Sequence, residues 1–416
     1  MTPDSPRVPR MTDPTTVGAR LVSKARRPLG KVKRAFLRRG SGGTGPARLV
    51  GYDRHLSSAA RGRALLLYVA HPFADEDRER LTFTRSVGVK SLEIAKALNE
   101  LGYQVDVVDW QDADFAPSLD YDVLVGMGPH YERVCALLPE TTTKVYLGTG
   151  AYWRYEDERE HGRAQYLLER RRFWIEPRGM APNRCAEISD AVIALGGNEH
   201  ILGTWASHAK RLLAVNNAAV PAHPLPDLAA KDFAAARASF LWFGSVYQIL
   251  RGLDLVLEAF QRLPGLELWV CAPLEATPDQ DFVRAFRREL FHSPNVHPVG
   301  WIDLRSPIFV SLAERCAFIV TATCTESMSG SVLNCMRAGL IPVVTRSAGV
   351  DVEGCGLLLE DETVDGIVSR LAEASRLPER ECLRLADESV RRAAEEYTTE
   401  NFGKSVREHL GLLLGV

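Results

Sequence analysis

No apolar run in this 416-residue chain approaches the ~20 residues of a bilayer-spanning helix. The N-terminus is basic but lacks the continuous apolar core of a signal peptide. Cys-x-x-Cys pairs are also missing. The eight cysteines (Cys135, Cys185, Cys271, Cys316, Cys324, Cys335, Cys355, Cys382) are scattered, most within apolar strand or helix patterns, so they read as reduced structural thiols rather than a metal or disulfide framework. Glycine and proline bias is absent, which excludes a fibrous or wholly disordered chain. So is net charge, at -2.

What charge there is sits unevenly. The first fifty residues carry twelve cations, from Arg7 and Arg10 to Arg39 and Arg48, against Asp4 and Asp13. In "GARLVSKARRPLGKVKRAFLRRG" the cations alternate with Leu21, Val22, Leu29, Val32, Phe36 and Leu37, and Pro28 interrupts any single helix. That composition suits either a segment lying on an anionic membrane face or a solvated basic leader. It carries no nucleic-acid-binding motif, and the remainder of the chain is acidic, so nucleic acid is not an expected partner. The expected location is cytoplasmic, free or peripheral on the inner membrane face.

From residue 64 onward, short apolar runs alternate with amphipathic segments, the βα pattern of a doubly wound parallel sheet. "ALLLYVA", "YQVDVVDW", "YDVLVGMG", "TKVYLGTG" and "DAVIALGG" read as strands, and "SLEIAKALNELG" as a helix with Leu92, Ile94, Ala95 and Leu98 inward. Three prolines in "AVPAHPLPDLAAKD" mark a hinge, after which the alternation restarts with "SFLWFGSV". The expected organisation is a basic tail (1–60), a first Rossmann-like domain (61–222), a hinge (223–237), a second Rossmann-like domain (238–396) and a C-terminal helix (397–416) packing back on the first domain. The fold class is α/β, with two Rossmann-like domains facing a cleft.

Ligands of such sheets bind beyond the carboxyl ends of strands, where helix N-termini offer free N–H groups and a positive dipole end. "TESMSGSVLNCMRAGLIPVV" (325–344) is such a place: Glu326 precedes a helix opening at Ser329, Gly330 and Ser331, and Asn334 follows one turn on. An anion such as a diphosphate suits that mouth. By itself the stretch reads more readily as ordinary helix capping. Upstream, Gly244 and Ser245 close the domain's first strand and Arg251 stands before a helix, where its guanidinium can clamp a phosphate. "DWQDADF" places Asp112 and Asp114 at a metal-binding spacing, but Asp-x-Asp is common by chance and no metal or other cofactor is expected. Arg170, Arg171, Arg172 and Arg178 surround Phe173 and Trp174; the cluster suits an acidic membrane or phosphorylated acceptor, or a helix laced by Glu158, Glu160 and Glu169.

Together, a strand ending in glycine, a basic residue before "GLDLVLEAF", "VHPVGWI", and an acid opening a glycine-containing helix before "AGLIPVV" resemble the C-terminal domain of retaining glycosyltransferase family 4, of the GT-B fold. The resemblance covers roughly 238–375 well and the N-terminal domain more loosely. It implies that Ser245 and Arg251 fall on the basic pair that contacts the donor diphosphate, with serine where arginine is usual. It places the nucleotide base against Gly300, Trp301 and Ile302, and the diphosphate on the N–H groups of Ser329, Gly330 and Ser331. Glu326 falls on the acid that contacts the sugar, and Asn334 on the acid that contacts the ribose. In the N-terminal domain the family's histidine is replaced by Thr149, Gly150 and Ala151, and the usual double glycine by the segment holding Ser86 and Gly88. His71 and His130, at strand ends, are further cleft candidates.

The function so implied is transfer of a sugar from a nucleotide-diphosphate donor to a glycan, lipid-linked or small-molecule acceptor with retention, in cell-surface polysaccharide or glycoconjugate synthesis, with Glu326 and Arg251 as the catalytic residues. A catalytically silent relative that binds nucleotide or a protein partner, and a nucleotide-sugar epimerase on the same fold, are the alternatives.

Overall fold

The structure, a computed structural model, describes residues 48–74 and 86–416. The basic leader before residue 48 and most of the first loop, 75–85, lie outside the described residues.

The N-terminal domain holds a seven-stranded sheet: β1 (Arg48–Tyr52), β2 (Gly62–Tyr68), β3 (Tyr103–Asp109), β4 (Val123–Gly126), β5 (Thr143–Gly148), β6 (Ala191–Leu195) and β7 (Leu212–Val215), in the order β1-β3-β2-β4-β5-β6-β7. All pairings are parallel except that of β1 with β3. Leu65, Leu66 and Leu67 are all fully buried because helices cover both sheet faces, which is why the strand reads as a continuous apolar run. Sequence periodicity did not mark β1 and β7: both are short edge strands, and β1 leaves Val50 exposed. β1 also lies inside the stretch expected as tail.

The C-terminal sheet comprises β8 (Ser239–Phe243), β9 (Glu267–Cys271), β10 (Val296–Pro298), β11 (Phe318–Thr321), β12 (Ile341–Val344) and β13 (Leu357–Leu358), in the order β10-β9-β8-β11-β12-β13, parallel throughout. The helix Thr399–Leu414 returns to the N-terminal domain, burying Phe402, Val406 and Leu410 in one cluster with Ile94 and Leu98 of the helix Ser86–Glu100.

A clasp joins the domains. The helix Trp153–Arg171 directs its arginines at the C-terminal domain: Arg159 to Glu362 (2.6 Å), Arg163 to Glu362 (3.0 Å) and the Ala322 carbonyl (2.9 Å), Arg170 to Asp254 (2.5 Å), and Arg171 to Glu258 (2.8 Å) and Glu289 (2.7 Å). The arginine cluster thus bridges the domains rather than lacing its own helix. Arg178 alone turns back, to Glu156 and Glu160. Asp112 is buried against Arg48 at 2.6 Å and accepts the Asp114 N–H, a structural role. All eight cysteines are buried and unpaired.

Candidate functional site

The loop after β11 and the loop after β8 are built as one unit. Leu250 offers its carbonyl to the Cys324 N–H (2.9 Å) and the Thr323 hydroxyl (3.1 Å), and Arg251 offers its own to Thr321 (3.1 Å). Gly252 permits this approach: its φ is 72°, and a Cβ there would lie 2.2 Å from the Ala322 carbonyl oxygen. Asp279 pins the other end by accepting the N–H groups of Tyr247 (3.0 Å) and Gln248 (2.8 Å), which holds Tyr247 at a φ of 66°. A bulky residue kept in the left-handed region is strain of the kind that collects at functional loops.

These contacts bring Arg251 to Glu326. Nη1 lies 2.5 Å from the carboxylate, Nε donates to the Val246 carbonyl, and both side chains remain about one-fifth exposed. The helix beside them is Gly330–Arg337, with Ser329 as N-cap and no side-chain capping bond. Val332, Cys335 and Met336 are buried, as their spacing requires.

Two details differ from expectation. The Ser329 N–H already donates to the Ala348 carbonyl (2.9 Å), because Gly349, at a φ of 69°, lets that turn press against Ser327. Ser329 is therefore not a free anion donor, and the unbonded amides of the mouth begin with Gly330 and Ser331. Asn334 is also engaged: its Oδ1 accepts the Val220 N–H at 2.7 Å, tying the helix to the hinge. Its amide side borders a cavity of about 510 Å³ that includes His223, Leu304, Phe309 and Arg337 and lies along the later half of the helix, away from its mouth.

Of the other donor-side residues, Gly244 bonds Cys271 and is followed by an exposed Ser245. Gly300 has a φ of 88°; it presents Trp301 to solvent (48% exposed), while Ile302 is buried among Trp269, Cys271 and Phe309. A half-exposed indole beside a buried anchor is a surface on which a planar base can stack.

The N-terminal domain contributes residues that sequence reasoning missed. Lys90 is 8% exposed, and its ammonium donates to Asn217 Oδ1 (3.0 Å). Asn217 Nδ2 in turn donates to the Met328 carbonyl (2.7 Å), one residue before the helix cap. Burial lowers the Lys90 pKa to about 8, with Glu326 opposing the shift. The signal was legible: Lys90 stands four residues before Ile94 and eight before Leu98, on the inward face of its helix. Glu156 was hidden, since nothing local distinguishes it. Its carboxylate accepts the Ala151 N–H (3.0 Å) and lies where a Cβ on Gly150 would meet it at 2.2 Å. The loop that lacks the histidine is thus folded over a buried carboxylate. Burial pushes the Glu156 pKa up to about 7; Arg178 opposes this, while Glu160 and Glu326 add to it.

The remaining candidates are more peripheral. Gly88 is packed where a Cβ would meet Pro72 Cγ at 2.9 Å, and Ser86 is the first residue of its helix. His71 begins the short helix His71–Ala74 near Gly88. His130 is half-buried at the start of the helix Tyr131–Leu137 and makes no side-chain cap there. The Thr149 hydroxyl turns to the Met127 sulfur at 3.5 Å.

Two parallel-sheet domains, clasped together and presenting a helix N-terminus with an Arg–Glu pair between them, define a GT-B fold. No protein-family model matches the chain, and no curated protein is similar to it in sequence. Solved structures are similar to it. Sucrose-phosphate synthase from Thermosynechococcus elongatus aligns at 13% identity with a TM-score of 0.56, covering 85% of this chain and 100% of that one. HepE from Anabaena, solved in complex with UDP and glucose, aligns at 12% identity and 0.54, with coverage of 85% and 100%. WaaG, a glycosyltransferase involved in lipopolysaccharide biosynthesis, aligns at 14% identity and 0.52, with coverage of 83% and 98%. TarM also matches, at a TM-score of 0.49, but the chain spans only about half of its length (54%). At such identities these likenesses establish the GT-B fold and no more.

Proposed function

We propose that the protein is a nucleotide-sugar-dependent glycosyltransferase that transfers its sugar with retention to a glycan or lipid-linked acceptor of the cell surface. The observation that carries this reading is the Arg251–Glu326 pair set beside the uncapped amides of Gly330 and Ser331. As the glycosidic bond breaks, positive charge develops on the sugar and negative charge on the departing diphosphate. Arg251 and the helix mouth stabilise the second, without a metal. Glu326, released from Arg251 by the phosphates, orients the donor hydroxyls. The leaving phosphate takes the acceptor proton on the same face, and the basic leader holds the enzyme at the inner membrane surface. HepE carries UDP and glucose, which supports a nucleotide-sugar donor.

A second reading has its own observation. Arg251 is neutralised by Glu326, the Ser329 N–H is bonded to Ala348, and Asn334 Oδ1 is bonded to the hinge, so the site is largely satisfied by its own groups. A silent nucleotide-binding relative would look like this.

Incubating the protein with UDP-, GDP-, ADP- and TDP-sugars, with and without glycan acceptors, and following free nucleoside diphosphate decides between them. Turnover that falls at least ~100-fold in Glu326→Ala, the scale of losing one transition-state contact, supports the transferase. Binding without turnover supports the silent relative, and an altered sugar still joined to its nucleotide indicates an epimerase.

A further inference from the structure

Among the described residues Lys90 is buried and Lys231 half-buried, and the two are treated differently. Lys231 gives its ammonium to three carbonyl oxygens, those of Ala313 (2.8 Å), Cys316 (2.8 Å) and Gly339 (3.1 Å). All three donors are satisfied, and the residue cross-braces the hinge. Lys90 has three donors as well. Among the described residues its ammonium finds one acceptor, the neutral amide oxygen of Asn217, which it shares with the Ala218 N–H. Burying a charge with one neutral partner is expensive.

Charge in the cleft shows what such a cation is for. Arg251 is paired with Glu326, and Arg178 with Glu156 and Glu160. Lys90 is the buried cleft cation without a bonded carboxylate among the described residues, and one side chain, Asn217, separates it from the Met328 carbonyl at the helix cap. A nucleoside diphosphate leaves with two or more negative charges, and Arg251, even when released from Glu326, balances only one of them.

We propose that Lys90 completes the diphosphate site from the opposite domain, its ammonium binding a phosphoryl oxygen across the cleft from Arg251 and the amides of Gly330 and Ser331. This rests on the transferase reading above. It assigns to the N-terminal domain a charge-bearing contact, so that the leaving group is held by both domains and the cleft closes around it.

The test is calorimetric titration of UDP, GDP and ADP into the full chain and into Lys90→Met, at pH 7.5 and 9.5. Loss of a charge-assisted hydrogen bond is expected to weaken the best-bound nucleotide by roughly ten- to a hundredfold in the variant at pH 7.5. Wild-type affinity is expected to fall several-fold or more by pH 9.5, as the ammonium, which titrates near pH 8, loses its proton. In Lys90→Met that fall disappears. Of the groups facing Lys90, Glu326 lies across the cleft, His71 on the preceding short helix, and Glu400 and Arg407 of the C-terminal helix act on Glu93 and Glu100; ADP, whose base does not ionise over this range, gives the deciding comparison. Removing an ill-satisfied buried charge should leave the variant's Tm at or above that of the wild type, whereas a lysine with a purely structural role would lower it. Equal affinity in the two proteins, or a wild-type affinity that is flat from pH 7.5 to 9.5, overturns the proposal, and the second result needs no variant. Wild-type protein that binds none of the three nucleotides overturns the transferase reading and this inference with it; undiminished binding in Lys90→Met overturns this inference alone.

Discussion

Arg251 and Glu326 neutralise each other at 2.5 Å, and a partly exposed pair of this kind contributes about 1 kcal/mol or less to stability. Its value lies in exchange: phosphate competes with Glu326 for the guanidinium and sets the carboxylate free. Glu326→Gln should therefore separate binding from chemistry, with nucleoside diphosphate affinity unchanged or raised several-fold while transfer falls. Calorimetry and product release on the same preparation check both halves. Glu156 makes a second prediction. Its folded pKa near 7 stands above the ordinary value of 4.5, so the folded state holds the proton more tightly than the unfolded chain does. Stability is thus greatest below pH 4.5 as far as this group is concerned, and is lost as pH rises to 7, by up to about 3 kcal/mol. In Glu156→Gln that decline is absent, so urea melts of variant and wild type at pH 5 and pH 8 should converge at the lower pH and diverge, with the variant more stable, at the higher.

At the scale of elements, the site depends on the close approach of the loop after β8 to the loop after β11, where the Leu250 and Arg251 carbonyls accept from Cys324, Thr323 and Thr321. Gly252 is the hinge pin of that contact, with a left-handed φ and no room for a Cβ against Ala322. Gly252→Ala should cost more than about 2 kcal/mol in chemical denaturation and should misplace Arg251, so that nucleotide affinity falls although no ligand-facing side chain has changed. The helix Gly330–Arg337 was foreseen from its small opening residues and its apolar spacing. Which of its amides are free was not, because the bond from Ser329 to Ala348 is made by a turn about twenty residues further on.

At the scale of the whole molecule, the arginines of the helix Trp153–Arg171 fix one domain against the other. Asp254 is the most exacting member of the clasp, fully buried between Arg163 and Arg170. Asp254→Ala leaves two guanidinium groups short of a counter-charge, and a loss of about 3 to 5 kcal/mol is expected in equilibrium urea unfolding. An exposed pair within the C-terminal domain, Arg262 with Asp365, should by contrast be near neutral when removed.

Local pattern alone determined the two βα alternations and the glycine-containing helix after Glu326, because strand burial and helix amphipathicity are written every two or three to four residues. It also held a signal that the sequence reading passed over, Lys90 as a cation on an inward helix face. Tertiary structure decided the rest: that Glu156 lies beneath the loop where a histidine was missing, that Asn334 is bound to the hinge, that the arginine cluster reaches Asp254, Glu258 and Glu289, and that Asn217 carries Lys90 to the donor helix. Apart from Glu156, whose partner Ala151 is five residues away, those pairings join residues tens to more than a hundred positions apart. Local spacing cannot encode them, because each depends on how two separately folded sheets are brought face to face.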